Sequence, residues 1–98
     1  MWRSKEYLEW VASQESCIDF GPAGDPHHIK GNGFGGSTKP HDLFTIPMNR
    51  EHHTQLHNQG FSSFEEAYGV TQAVEVLRTI DRAIRSGIIT IKVNRERV

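Results

Sequence analysis

All six histidines of this 98-residue chain lie between His27 and His57. They fall as two adjacent pairs, His27-His28 and His52-His53, with His41 between the pairs and His57 one helical turn beyond the second. Neutral imidazole is the commonest side-chain ligand of transition metals and the usual general base near neutral pH, so one such cluster can supply both functions. On a helix, His53 and His57 are four residues apart and project from one face, where their ring nitrogens can converge on one ion. His52 then points about 100° away round the helix. A third ligand must come from another element, and the extended segment carrying His27 and His28 is the available donor. Strand neighbours face opposite ways, so one of that pair reaches the ion while the other looks toward the substrate side. Three protein imidazoles leave coordination positions open, the arrangement of a catalytic rather than a structural site. Taken alone, His52-His53-x-x-x-His57 is as readily a solvated helix face. Asp25 reads either as the partner of a ligand or as an Asx turn.

The elements that must hold these side chains follow from periodicity and turn chemistry. Residues 4–13 predict a short amphipathic helix with Tyr7, Leu8, Val11 and Ala12 on its apolar side, packing as a lid. Residues 17–25 are turn-rich and deliver the chain to an extended run at 26–29. Gly31, Gly33 and Gly36 satisfy G-x-G-x-x-G, but Ser-Thr-Lys-Pro follows in place of a helix, so the segment reads as a substrate-facing loop and not a dinucleotide site. Residues 43–48 predict a second strand, with Pro47 near its end, where a missing N–H costs least. Asn49 is a good N-cap for a helix through His57 that stops near Gly60.

Ser62 and Glu65 have the spacing of a capping box that opens a helix over 64–68, closed by Gly69. A longer helix is predicted over 71–86, with Val70, Ala73, Val74, Leu77, Ile80, Ala83 and Ile84 as its apolar face, Arg82 and Arg85 favouring its C-terminal dipole, and Gly87 ending it. Residues 88–93 read as a short strand-like tail and 94–97 as frayed chain. With no internal repeat and no linker, residues 1–98 form one domain of mixed α+β class.

Composition sets the bounds. A 36% hydrophobic content supports a core of limited size, and small domains often use a metal as a staple. The formal net charge of -1 gives no basic field to hold nucleic acid. That counts against tight binding through net charge, although the histidines gain charge on meeting a metal or phosphates. Lys30, Lys39 and Arg50 lie within the histidine segment as candidate phosphate contacts. Cys17 is the single cysteine, so no intrachain disulfide forms, and it reads as a small buried hydrophobe. The opening Met-Trp-Arg-Ser-Lys-Glu has charges where a signal peptide needs an apolar run, and no stretch approaches the ~18 apolar residues of a membrane helix. The expectation is a cytoplasmic protein with no membrane partner.

Asp-Pro-His-His-Ile-x-Gly, the Gly-rich loop, Thr-Lys-x-His-Asp-Leu-Phe-x-Ile-Pro and Arg-Glu-His-His-x-x-Leu-His together resemble the HNH nucleases of the ββα-metal (His-Me finger) class. Within that class the segment over residues 17–89 is most similar to the phage recombination-enhancement (Ref-type) nucleases and their prophage relatives. The resemblance implies a small ββα-metal core, a β-hairpin plus a metal-binding helix, with additional packing helices. It implies that His27, His53 and His57 hold one divalent metal, that His28 is the general base, and that Asp42 fixes its orientation. A carboxylate at Asp42 would also hold the imidazole in the tautomer whose other nitrogen is free to accept a proton. Mg²⁺ or Mn²⁺ is the implied working ion, although three imidazoles bind Zn²⁺ or Ni²⁺ more tightly.

The chain also departs from that class. Its members carry a structural zinc held by Cys-x-x-Cys and Cys-x-x-His, where this chain has Cys17-Ile-Asp-Phe20 and Asn49-Arg-Glu-His52. A tetrahedral site needs all four ligands, so Phe20 is expected to fill that space by packing. The long basic N-terminal extension of Ref-type enzymes is also missing here, which leaves dependence on a recombinase filament open.

The implied function is metal-dependent endonuclease hydrolysis of DNA in phage or prophage recombination or DNA processing. Two alternatives stand beside it: a non-catalytic, metal-stabilised module that docks on a recombination protein or nucleic acid, and an RNase on the same scaffold. His41 has no required role and reads as an exposed histidine or a phosphate contact.

Overall fold

A computed structural model describes residues 2–29 and 41–93. Lys30, Lys39, the Gly-rich loop and the 94–97 tail lie outside the described residues. The fold is α+β, in the order α1 (Lys5–Ala12), β1 (Asp25–His28), β2 (Thr45–Met48), α2 (Arg50–Gln59), α3 (Phe61–Tyr68) and α4 (Gln72–Arg85). Strand, strand and helix are consecutive, as the sequence predicts. Among the described residues no helix is long and apolar enough to cross a membrane.

The hairpin is antiparallel and pairs Asp25 with Met48, Pro26 with Pro47, His27 with Ile46 and His28 with Thr45. Two prolines thus stand opposite each other. The arrangement is tolerated because Ile29 N–H bonds the Phe44 carbonyl, which makes 29/44, and by alternation 27/46 and 25/48, the hydrogen-bonded pairs. Pro26 and Pro47 occupy a non-hydrogen-bonded pair whose N–H positions point away from the ladder, so neither removes a rung. The outward-facing Pro47 carbonyl accepts from Cys17 N–H at 3.0 Å.

The strand face carrying Ile29, Ile46 and Met48 joins Leu56 of α2, Phe64 of α3 and Val76 of α4 in the main core. A second cluster, Tyr7, Val11 and Ala83, seats α1 against the end of α4. Ser4 caps α1 by accepting from Tyr7 N–H, matching the predicted helix and its lid-like packing.

Three expectations are corrected. The Ser62/Glu65 capping box does not form: α3 begins at Phe61 directly after Gly60, and no side chain caps it. Glu65 instead accepts from the Gln72 N–H at 2.7 Å, so it caps the next helix. The predicted apolar face of α4 holds in part and is rotated. Ala83 is buried and Val70 and Ile80 pack on the core as predicted, but Val74, Leu77 and Ile84 are exposed and Gln72, Glu75, Val76 and Thr79 face inward in their place. The polar members of that inner face are satisfied, Thr79 Oγ1 donating to the Glu75 carbonyl and Glu75 accepting from Arg78. Finally, 88–93 forms no strand. Ile88 and Ile89 N–H groups fold back on the Ala83 carbonyl after Gly87, whose φ of 77° suits the turn.

Candidate metal centre

Asn49 caps α2, its Oδ1 accepting from His52 N–H at 2.8 Å. Leu56, buried in the core, fixes the rotation of the helix, and this turns His53 and His57 together toward β1. From the hairpin, alternation puts His27 on the same face as Ile46, and its ring is buried. The result is a nest of three imidazoles. His27 Nδ1 and His57 Nε2 each lie 3.1 Å from His53 Nε2, and the three ligand atoms all fall within 4.8 Å of one another. His53 is the central member. His52 points elsewhere, with its ring edge on Tyr68 at 5.2 Å and its Nδ1 without a hydrogen-bond partner among the described residues.

The spacing suits one cation. Nitrogens about 2.0–2.1 Å from a common ion stand about 2.8–3.0 Å apart as octahedral neighbours and about 3.3–3.4 Å apart in a tetrahedron, which brackets the two 3.1 Å separations. Hydrogen bonding on the far side of two rings strengthens the fit. His27 Nε2 donates to Gln72 Oε1 at 2.8 Å. His53 Nδ1 faces Asp25 Oδ2 at 3.4 Å. Each bond consumes the ring's proton and leaves the inward nitrogen as a bare lone pair. Two bare lone pairs at 3.1 Å repel unless a cation lies between them. Burial also pushes the His27 pKa down to about 4, with the Gln72 hydrogen bond partly opposing, so this ring is neutral and available as a ligand at neutral pH.

An open cavity of about 400 Å³ adjoins the nest, lined by Asp25, Pro26, Arg50, His53, Thr54 and His57. Arg50 grips Asp25 through Nε at 2.7 Å and Nη2 at 3.3 Å. That guanidinium holds the Asp25 carboxyl below its usual range, with burial opposing and His53 adding to the effect. Arg50 is therefore both a wall of the cavity and a clamp on the His53 partner.

His28 lies on the opposite strand face and is not among the residues lining this cavity. Its Nε2 donates to Asp42 Oδ1 at 2.9 Å. Asp42 is nearly inaccessible and also accepts from Ser4 N–H at 2.8 Å and Arg3 Nη1 at 3.2 Å. Burial works against ionisation of Asp42, but the bonds from His28, Ser4 and Arg3 outweigh it and hold the carboxyl low. The His28 proton is thus committed to Nε2, and Nδ1 is left as the basic nitrogen. His41, expected to be exposed or a phosphate contact, instead accepts from Trp2 N–H through Nδ1 and packs on Phe44.

The expectation for Phe20 is wrong. Its side chain is 72% exposed, and its φ is 62°. The Cys17–Phe20 loop is a tight turn closed by Phe20 N–H on the Ser16 carbonyl and Ser16 N–H on Gly21, which throws the ring outward. Asn49 anchors the loop by donating to Asp19 Oδ2 at 3.2 Å. Cys17 is partly buried, and burial with the nearby Glu75 carboxylate pushes its thiol up to about 12.

Sequence reasoning missed Gln72, Arg3 and Ser4. No local signal marks Gln72, which meets His27 across 45 residues. Asp25 was within reach of the strand pattern, since residues two apart share a face with His27.

Comparison with known proteins gives no solved structure that matches. Over 89 residues the chain is 43% identical to the uncharacterized protein YdfU of Escherichia coli (strain K12), a match spanning 90% of this chain and 25% of that relative. The chain thus corresponds to about a quarter of the curated relative's length. A family model described as "Protein of unknown function (DUF968)" matches residues 1–87, and the chain belongs to that family.

Proposed function

We propose that this chain is an HNH-type, metal-dependent endonuclease that hydrolyses DNA phosphodiester bonds, in a phage or prophage setting of recombination or DNA processing. One observation carries the reading: consecutive residues of β1 hold a member of a three-imidazole nest, His27, and a carboxylate-oriented imidazole, His28. A purely structural ion needs no such second histidine.

His27, His53 and His57 would hold one divalent ion, which when bound supplies positive charge to stabilise a phosphodiester and its leaving oxygen. The remaining roles belong to the chain. His28 Nδ1 accepts a proton from water, while Asp42 keeps the other ring nitrogen protonated and stabilises the imidazolium that forms. Arg50 keeps Nη1 unengaged by Asp25 and stands at the cavity wall, where a phosphate oxygen is its natural partner. Lys30 and Lys39 complete the proposed substrate contacts.

The placement of His28 outside the cavity lining favours a second reading, a metal-stabilised module without catalysis. One experiment separates the two. Purified chain is incubated with supercoiled plasmid, single-stranded DNA and RNA in Mg²⁺, Mn²⁺, Zn²⁺ or chelator, with and without a recombinase filament. Metal-dependent DNA cleavage lost in both His28→Ala and His53→Ala supports the nuclease. Cleavage of RNA only reassigns the substrate, and no cleavage under any condition leaves the module.

A further inference from the structure

We infer that Gln72, the first residue of α4, is a positioning residue for the metal nest: its amide oxygen fixes the tautomer of His27 and thereby sets the affinity of the nest for a transition-metal ion. The inference rests on the reading of His27, His53 and His57 as metal ligands.

Gln72 is 5% exposed, and its Oε1 is 2.8 Å from His27 Nε2. An amide oxygen can only accept, so His27 must carry its proton on Nε2 and present Nδ1 inward. The alternative tautomer would put an N–H into the nest, 3.1 Å from His53 Nε2, where it would occupy the space an ion needs. His27 is 3% exposed, so no solvent competes to choose the tautomer. The half-buried ring of His53 has Asp25 in the equivalent position.

The two acceptors differ in a way that matters for the ion. The Asp25 charge is already matched by Arg50 through two hydrogen bonds, and Gln72 is neutral. A dication held by three neutral imidazoles therefore keeps its full charge toward the cavity, the condition that favours an anionic ligand.

Gln72 is also held from behind. Its backbone N–H donates to Glu65 Oε2 at 2.7 Å, which ties the start of α4 to α3 and sets the backbone from which the amide reaches His27. Partners of this kind typically change metal affinity by about 10- to 100-fold when removed.

The test is Zn²⁺ titration of wild type, Gln72→Leu and Gln72→Glu by calorimetry, with the thermal midpoint of each metal-free protein measured alongside. Leucine keeps the bulk without the acceptor, and glutamate restores an acceptor. Affinity should fall about 10- to 100-fold in Gln72→Leu and return to wild type or tighter in Gln72→Glu. Equal affinity in Gln72→Leu and wild type overturns the inference and leaves the metal site standing. Equal weakness of both variants assigns Gln72 to packing and also overturns it. Absence of Zn²⁺ binding in wild type instead overturns the metal reading beneath it. Should neither variant fold, ¹⁵N-edited NMR of metal-free wild type decides, since His27 protonated at Nδ1 is incompatible with the proposal.

Discussion

Adding Zn²⁺ to metal-free protein at a hundred times its dissociation constant should stabilise the fold by about 2.7 kcal/mol, because the nest exists only in the folded state. For a domain of this size each kcal/mol moves the thermal midpoint by about 4–8 °C, so the expected rise is about 10–20 °C. The geometry makes the effect unevenly distributed over the histidines. His53 Nε2 is the only nitrogen placed 3.1 Å from both others, whereas the His27 and His57 rings are 6.0 Å apart by centroid. His53→Ala should therefore abolish the rise, leaving two ligands without their common neighbour. His28→Ala should keep it whole, since that ring is bonded to Asp42 and takes no part in the nest. Differential scanning calorimetry with and without Zn²⁺ on the three proteins reads this directly. A rise in His53→Ala as large as in wild type, or its loss in His28→Ala, would refute the division between ligand and base.

Metal-free protein should lose stability as the pH falls from about 6.5 to about 4. In that window the unfolded chain protonates His27 and the folded chain does not, so acid favours unfolding; stability is full above the window and about 3 kcal/mol lower below it. Urea titrations across this range would show no such decline in His27→Ala if His27 is the cause. Phe20→Gly should stabilise the fold by up to about 1 kcal/mol, because an L-residue in the left-handed region is strained and its ring packs on little; a loss of more than 2 kcal/mol in chemical denaturation would show that the exposed ring is anchored after all. On α4 and β2, Leu77→Lys should change stability by no more than about 0.5 kcal/mol, whereas Ile46→Ala should cost about 2–5 kcal/mol. The same denaturation series compares them, and equal losses would contradict the observed rotation of α4.

The legible parts of this chain are those whose cause is local. Asn49 as a cap, the i, i+4 pair His53 and His57, and the alternation within each short strand are each decided within a few residues, and the structure repeats them. The apolar face of α4 was not legible because periodicity assigns a buried side by hydrophobicity alone. Val74, Leu77 and Ile84 form a regular stripe, yet the helix turns it outward. The inward turn brings Gln72 to His27, Glu75 to the loop at Cys17, and Val76 to Phe64, and two of those three partners come from before residue 30. A long-range polar bond such as that between Gln72 and His27 leaves no period in the sequence.

Phe20 shows the opposite failure. The resemblance to a zinc-bearing class invites a hydrophobic filling at this position, but the backbone turn at Phe20 directs its side chain outward. The space near α2 is held by an Asn49–Asp19 hydrogen bond instead. The same logic connects the two failures to function. Polar contacts between Asn49 and Asp19 hold the loop to α2, while the nest receives its order from Gln72 and Asp25. The hairpin's anchor is thus held by side-chain hydrogen bonds, and the histidine arrangement beside it has the donors that the proposed ion needs.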